Sequence, residues 1–492
     1  MAKLKIWNNG IFKEIPFEPP QKLEEVLTQG CLGMRHPCGG NGRCGKCGVL
    51  ITGEVSEPNQ LEKDAGKRLS CQISLLGDAE IWTPGRSRIE QIEMCSPEAD
   101  EILAPMQGKY GAAIDIGTTT LALKLYNLQD GRCVSSCSME NPQTCIAADV
   151  MGRIQASLSG KADVLKAMIE DALAQMLEEA WREAGCKKEE TGSMVAAGNT
   201  TMLYLLTGQK TASLATAPFQ ADRLFDEQID LVGIPTYLPP CINAFVGADI
   251  SCAVLASKMC QSEEIAVLCD IGTNGEIALW KAGKLYVTST AAGPAFEGAG
   301  ISCGCGSVRG AIDRVWEDKE GLHVHTVGEA PAIGICGSGL LDAVAVGLAL
   351  GEIDESGALD SDAFAISGAV KLQQQDIRAV QLAKSAIVAG METLLLSAGV
   401  SAEQVGRLYI AGGFGSHLSI RSAAAIGLIP AVLSERVTVI GNAALAGAGQ
   451  LLRNGRAMDQ IRQIAAHAVH VNLGGNAVFG EKFIERMSLQ EM

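Results

Sequence analysis

Aromatic side chains are scarce, at 4% of the 492 residues. A core built without them relies on aliphatic packing, and 56 glycines suit α/β domains with many tight strand–helix turns. Positive charge is short as well. Forty Lys and Arg against 56 Asp and Glu leave a net charge of −16, which argues against a nucleic-acid surface. No stretch reaches the roughly 18 apolar residues that a membrane span needs. Met1 to Trp7 contain no apolar h-region, so no secretory signal is expected. Without export, 17 cysteines read as reduced thiols or metal ligands rather than a disulfide scaffold. A reducing, anaerobic cytoplasm is the natural setting. The length predicts two to four domains.

What the chain does have is a dense cysteine loop. Cys38, Cys44 and Cys47 lie between His36 and Val49 among five glycines, and Cys71 follows. Such glycines let backbone fold tightly and leave N–H groups free to point at sulfur. Four thiolates at this spacing predict a [2Fe–2S] cluster. A four-cysteine zinc site usually shows two C-x2-C knuckles, and here there is one. Gly40 to Cys47 also fits most of a P-loop pattern, but the run ends in Cys and opens into a strand.

The flanking pattern predicts a small mixed sheet over residues 1–85. Strands are expected at 3–10, 12–18, 48–55, 67–72 and 79–83, with an Asn8-Asn9-Gly10 turn and a short helix at 22–29. Residues 86–108 are polar and irregular and read as a linker. From Tyr110 the texture becomes strand-then-helix. Residues 161–184 carry Leu165, Met168, Ile169, Leu173, Met176, Leu177 and Trp181 at helical spacing. Further helices are expected at 337–350 and 379–398, with strands at 194–198, 243–247, 407–411 and 437–440. The tail 469–489 reads as one more strand and helix.

One motif occurs twice. Asp115-Ile-Gly-Thr and Asp270-Ile-Gly-Thr each sit between two apolar strands. A hairpin tipped with Gly and Thr offers backbone N–H groups and hydroxyls to phosphate oxygens, and the Asp can hold Mg²⁺ through water. Two such hairpins predict two related lobes, at 109–262 and 263–492.

The cysteine spacing resembles plant- and adrenodoxin-type ferredoxins, which implies a β-grasp fold with Cys38, Cys44, Cys47 and Cys71 as ligands. The paired hairpins resemble the phosphate loops of the acetate and sugar kinase/heat-shock chaperone/actin (ASKHA) superfamily. Val246–Ile250 and Gly441–Ala448 resemble its connecting helices, and Ile410–Gly415 its adenosine loop. The resemblance implies that Asp115 and Asp270 position Mg²⁺. Gly117, Thr118, Thr119, Thr120, Gly272, Thr273, Asn274 and Gly275 would then contact ATP phosphates. Gly412, Gly413 and Phe414 would line the adenosine pocket. Asp249 is a candidate to orient the attacking water or else a helix N-cap. Asn199 and Thr200 would reach the γ-phosphate or else cap a helix.

Weaker motifs have blander readings. Cys303 and Cys305 alone fill no metal site within one chain, and Cys336 reads as a packed thiol. His323 and His325 read as a solvated strand face. Gly293–Gly298 reads as a turn near the nucleotide cleft.

Taken together, the signatures resemble the reductive activators of corrinoid enzymes, in which a ferredoxin domain precedes an ASKHA ATPase. Gly198-Asn-Thr-Thr-Met202, Gly293–Gly298 and Ile335–Leu340 belong to that likeness. It implies ATP-dependent reduction of Co(II) to Co(I) in a corrinoid protein or corrinoid-dependent methyltransferase. It also implies an upstream low-potential electron donor and a homodimer. Longer members carry an extra middle domain, where only the linker is expected here. Two other readings are an ATP-driven donor to a non-corrinoid reductase or dehydratase, and a redox-sensing ATP-binding regulator. Against the last, both Asp115 and Asp270 are present.

Overall fold

The computed structural model describes residues 1–8, 11–29, 47–82, 102–413 and 418–491. Cys38, Cys44, Phe414 and the Asn9-Gly10 turn tip lie outside the described residues.

The first unit is a mixed sheet. Its strands are β1 (Ala2–Asn8), β2 (Ile11–Phe17), β3 (Gln21–Lys22), β4 (Gly48–Val55), β5 (Arg68–Leu69) and β6 (Ser74–Trp82). The order is β2-β1-β6-β4-β5, with β3 also on β6. The central β1–β6 pair is parallel and its neighbours are antiparallel, the β-grasp arrangement. Alternation sets the faces: Leu4, Ile6, Ile15 and Phe17 point inward. The helix Leu23–Gln29 covers that face with Leu23, Val26 and Leu27. Two expectations shift. The strand expected at 67–72 is only Arg68–Leu69, because the chain turns at Ser70. An unforeseen helix, Gln60–Ala65, begins at Asn59, which forms a capping box with Glu62.

Two larger lobes follow. The first lobe's strands are β7 (Tyr110–Ile116), β8 (Thr120–Asn127), β9 (Cys133–Glu140), β10 (Thr191–Gly198), β11 (Glu227–Leu231) and β12 (Ile234–Leu238). The second lobe's main strands are β13 (Ala266–Ile271), β14 (Gly275–Lys281) and β15 (Lys284–Thr290). An outlying sheet holds β16 (Ala311–Asp318), β17 (Gly321–Thr326) and β18 (Gly334–Ile335), and a hairpin joins β19 (Phe364–Ser367) to β20 (Val370–Leu372). β21 (Arg407–Ala411), β22 (Val437–Gly441) and β23 (Ala468–His470) return to the main sheet.

The repeat seen in sequence is a repeat of topology. The first lobe runs β9-β8-β7-β10-β12 and the second runs β15-β14-β13-β21-β22. In each, three antiparallel strands are extended by two parallel ones. The central strands β7 and β13 are buried along most of their length, as strands covered on both faces must be. Residues 243–247 form no strand. Asn243 Oδ1 accepts from the N–H groups of Phe245 and Val246, closing a turn. Beyond β10 the sheet continues in parallel through β12 instead.

The helices Ala248–Ser257 and Ala443–Arg453 cross between the sheets. Their core draws Ala113, Val195, Leu268, Ala278, Cys252 and Ala448 from both lobes. Gly447 makes the close crossing possible: a β-carbon there would sit 2.1 Å from the Cys252 carbonyl oxygen. The helix Gln374–Ser397 starts earlier than periodicity predicts, because the Asp376 carboxylate accepts from the Gln373 N–H at 2.8 Å and secures the first turn. It is long and apolar enough to cross a membrane, but 78% of its apolar window is buried in the second lobe. Part of the stretch read as linker is fastened down: Leu103 pairs with Asn454, and the Met106 N–H bonds the Leu452 carbonyl at 2.9 Å.

Candidate functional site

Cys47 and Cys71 come together in the first unit. Their sulfurs are 3.3 Å apart and both residues are buried with Leu69. The separation exceeds a disulfide bond, which is about 2.05 Å. Two interactions bring them there. The Ser70 N–H bonds the Cys47 carbonyl at 2.9 Å. The buried Glu62 carboxylate accepts from the Leu69 N–H and from Arg68 Nε, each at 3.0 Å. Arg68–Cys71 is thereby pinned against the end of the cysteine loop. Gln72 Nε2 lies 3.4 Å from the Cys71 sulfur. Two adjacent buried thiols with an N–H donor beside one of them fit a cluster edge.

The second feature is a cleft of about 620 Å³ between the lobes. Asp115, Gly117, Thr118, Thr119 and Thr120 line it from the first hairpin, and Asp270, Gly272, Thr273 and Asn274 from the second. Asn199, Asp249, Gly412 and Gly413 also line it. Thr200 and Gly275 are not among the lining residues: the Thr200 hydroxyl donates to the Asn243 carbonyl at 2.6 Å, and Gly275 packs against Ile387 and Thr290.

The hairpin tips meet. Thr119 Oγ1 and Thr273 Oγ1 are 3.0 Å apart. Both hydroxyls donate to Glu297 Oε2, at 2.6 and 2.8 Å. Glu297 ends the turn Pro294–Glu297, and Phe296 beneath it is buried. The Gly293–Gly298 motif is thus a turn at the cleft, and it also delivers a carboxylate that sequence reasoning missed. Its clue was an acid inside a rigid Gly-Pro-turn-Gly frame.

Asn442 was missed too. It caps the helix Ala443–Arg453 through Oδ1, and its Nδ2 donates to Asp115 Oδ2 at 2.8 Å, tying the second lobe to the first. Asn199 takes the expected cap position. Its Oδ1 caps the helix Thr200–Thr207, and its Nδ2 donates to Thr118 Oγ1 at 3.0 Å. Asp249 is not an N-cap. Gly247 occupies that position, and Asp249 lies in the first turn. Gly247 has no room for a side chain, since a β-carbon would come 2.4 Å from Asn199 Cα. Gly412 has φ +96°, and a β-carbon there would approach Asp270 Oδ1 to 2.8 Å.

Electrostatics mark the cleft. Asp115, Glu140, Asp249, Asp270, Glu276 and Glu297 line it, and among the described lining residues there is no Lys or Arg. Burial pushes Asp115 up to about 6, with the Asn442 N–H opposing. Burial and the charges of Asp249, Asp115 and Glu297 push Asp270 up to about 8. Asp249 and Glu276 are raised by burial and then by neighbouring carboxylates. Such a set disfavours bare anions and favours a cation.

The remaining candidates are quieter. Cys303 Sγ donates to the Lys371 carbonyl at 3.1 Å, while Cys305 and Cys336 line the cleft wall. Burial raises the Cys336 thiol, which keeps it protonated. His323 and His325 pair with Asp318 and Asp313 on a solvated strand. Among the described residues no group of three or more His, Cys, Asp or Glu is placed to hold a metal ion by itself.

Fold and site define a class: a ferredoxin-type domain joined to a two-lobed ASKHA fold with paired Asp-Ile-Gly-Thr hairpins at its cleft. Comparison with known proteins agrees. Residues 8–76 match the 2Fe-2S iron-sulfur cluster binding domain, 110–262 the RACo middle region, and 264–492 the C-terminal ASKHA domain of RACo. The family's middle region thus falls on the stretch read as the first lobe. The chain is 31% identical over 415 residues to the corrinoid activation enzyme RamQ of Eubacterium limosum, covering 76% of this chain and 69% of that one. It is 25% identical over 420 residues to the [Co(II) methylated amine-specific corrinoid protein] reductase of Methanosarcina barkeri, covering 77% of each. The solved reductive activator for corrinoid, iron-sulfur protein superposes with a TM-score of 0.74 at 26% identity, covering 100% of this chain and 99% of that one. The chain belongs to the family of reductive activators of corrinoid proteins.

Proposed function

We propose that this protein passes one electron to the Co(II) centre of a corrinoid protein in a methyltransferase system, giving Co(I), and that ATP drives the transfer. The observation that carries the reading is the joining of two sites in one chain. Buried thiols 3.3 Å apart stand in a ferredoxin-type domain, and two phosphate-type loops meet at 3.0 Å in an ASKHA cleft. Relatives named for corrinoid activation and Co(II) corrinoid reduction support the acceptor.

We divide the chain into a ferredoxin-like domain 1–85, a linker 86–108 and lobes 109–262 and 263–492. We assign Cys38, Cys44, Cys47 and Cys71 to the cluster. A bound [2Fe–2S] cluster supplies a one-electron carrier, near roughly −400 mV for plant-type centres. Around it, Glu62 holds the Arg68–Cys71 segment in place, and the bond between Ser70 and Cys47 fixes the sulfur spacing.

In the cleft, Gly117 to Thr120 and Gly272 to Asn274 bind the phosphates of ATP through amides and hydroxyls. Gly412 and Gly413 leave room for the adenosine. Asp115 and Asp270 would hold Mg²⁺, directly or through water, and the ion would supply the positive charge that the lining side chains lack. Asp249 is placed to orient a water. Glu297 accepts from Thr119 and Thr273, so phosphate and Glu297 compete for the same hydroxyls. Binding then reorganises the contact between lobes, and hydrolysis restores it. Each ~59 mV by which an acceptor is too hard to reduce costs a factor of ten in a one-electron equilibrium. Lobe movement is the means by which ATP offsets that cost. The upstream donor is a low-potential one-electron protein, the active form is a homodimer, and the thiol-rich composition suits a reducing cytoplasm.

Asp270→Ala tests the ATPase half. It should abolish ATP hydrolysis and leave the visible spectrum of the cluster intact. Retained hydrolysis would overturn the assignment.

A further inference from the structure

Behind the first phosphate loop lies a fully buried polar group that the reading above does not use: Arg153, Asn141 and Gln143. It holds three consecutive carbonyls of the loop from the back. Asn141 Nδ2 donates to the Gly117 carbonyl at 2.8 Å. An Arg153 guanidinium N–H donates to the Thr118 carbonyl. The Asn141 backbone N–H donates to the Thr119 carbonyl at 2.8 Å. Arg153 is itself held: Nε donates to the Ala147 carbonyl at 3.1 Å, and a second arm reaches Gln143 Oε1 at 3.1 Å. Gln143 Nε2 anchors the group to the Leu165 carbonyl on the helix Ala162–Ala184 at 2.8 Å.

The consequence is geometric. In a trans peptide the C=O and the following N–H point in opposite directions. Carbonyls of Gly117 and Thr118 that face the brace turn the N–H groups of Thr118 and Thr119 away from it. Both residues line the cleft. The second consequence is electrostatic. The cleft is lined by six carboxylates and, among the described lining residues, no Lys or Arg. The guanidinium stands one residue layer behind Thr118. A neutral amide would suffice to hold that carbonyl, yet a permanent charge is there, and a buried charge is only weakly screened by salt.

We propose that Arg153 is a positioning residue for phosphate binding. It fixes the first loop with its amides facing the nucleotide and supplies positive potential to the cleft from behind. This rests on the reading of the cleft as an ATP site.

The test uses the full-length protein with its cluster, the variants Arg153→Met and Arg153→Lys, and calorimetric titration with three magnesium-supplemented probes: adenosine, ADP and a non-hydrolysable ATP analogue. Losing a charge-assisted hydrogen bond predicts a weakening of about tenfold or more for the analogue in Arg153→Met. The loss should shrink to ADP and vanish for adenosine. Arg153→Lys should recover part of it, because the charge returns without the fork. An equal loss for all three probes would reduce the residue to general packing and overturn the proposal, as would wild-type affinities in both variants. If Arg153→Met does not fold, Arg153→Lys decides: its loss must still grow with phosphate number. If the wild-type protein binds none of the probes, the ATP reading fails first, and that outcome is distinct from wild-type binding that Arg153 variants leave unchanged.

Discussion

Replacing Gly447 by Ala sets two physical effects against each other. Gly447 lies inside the helix Ala443–Arg453, where Ala is intrinsically preferred over Gly by about 1 kcal/mol. On propensity alone the variant is more stable. The crossing with Ala248–Ser257 predicts the opposite. An added β-carbon would meet the Cys252 carbonyl oxygen at 2.1 Å, its carbon at 2.6 Å and its Cα at 2.8 Å. Nonbonded contact is comfortable near ~3.5 Å, so the helices must part by more than ~1 Å. The obstructing atoms are backbone, which no rotamer change can move aside. Overpacking of this kind costs about 1–3 kcal/mol, enough to reverse the propensity gain. Both helices begin at the cleft: Asp249 is in the first turn of one, and Asn442 caps the other while holding Asp115. Separating them should therefore weaken nucleotide binding as well. Calorimetric melting should show the ASKHA transition lowered by on the order of a few degrees, and titration should show weaker nucleotide binding. The cluster spectrum should not change, because the ferredoxin-type unit has its own core. A variant that melts higher and binds nucleotide as before would refute the account of the crossing.

Glu297→Ala removes the acceptor shared by Thr119 and Thr273, so stopped-flow mixing with a fluorescent nucleotide should show association faster by about threefold or more; an unchanged rate would mean that Glu297 does not compete with phosphate for those hydroxyls. A carboxyl whose folded pKa lies above its unfolded value, near ~4, takes up a proton on folding, so its contribution to stability is lost as pH rises through the folded pKa. With Asp270 raised to about 8, metal-free wild-type protein should lose more melting temperature between pH 6 and pH 8 than Asp270→Asn, which carries no such proton. Equal losses would contradict the burial that causes the shift, and added magnesium should reduce the wild-type loss.

The parts legible in sequence were those in which one local pattern fixes both conformation and chemistry. Asp-Ile-Gly-Thr between apolar strands specifies a hairpin and its tip together, so both loops and their shared cleft followed from the repeat. Strand Arg407–Ala411 and helix Ala162–Ala184 followed from unbroken periodicity. What stayed hidden depended on contacts distant in sequence. Glu297 meets Thr119 across 178 positions, and Asn442 meets Asp115 across 327. Neither partner can be read from the other. Residues 243–247 misled because their apolar content looks like a strand, while one Asn side chain turns the chain back on itself. Asp249 looked like a cap because acids favour helix starts, but the tight approach of Asn199 leaves room only for Gly247 at the cap. The helix Gln60–Ala65 had a readable signal in its Asn59-to-Glu62 capping box, overlooked because strands flank it.

The central claim is that ATP enables an electron held in the ferredoxin-type domain to reach a corrinoid cobalt. The direct measurement mixes reduced protein with a corrinoid protein in its Co(II) state, with and without magnesium-ATP, and follows the absorbance of Co(I). The account predicts that Co(I) appears only when reduced protein, corrinoid protein and ATP are all present. Formation of Co(I) at the same rate and extent without ATP, or no formation with all three, would contradict it.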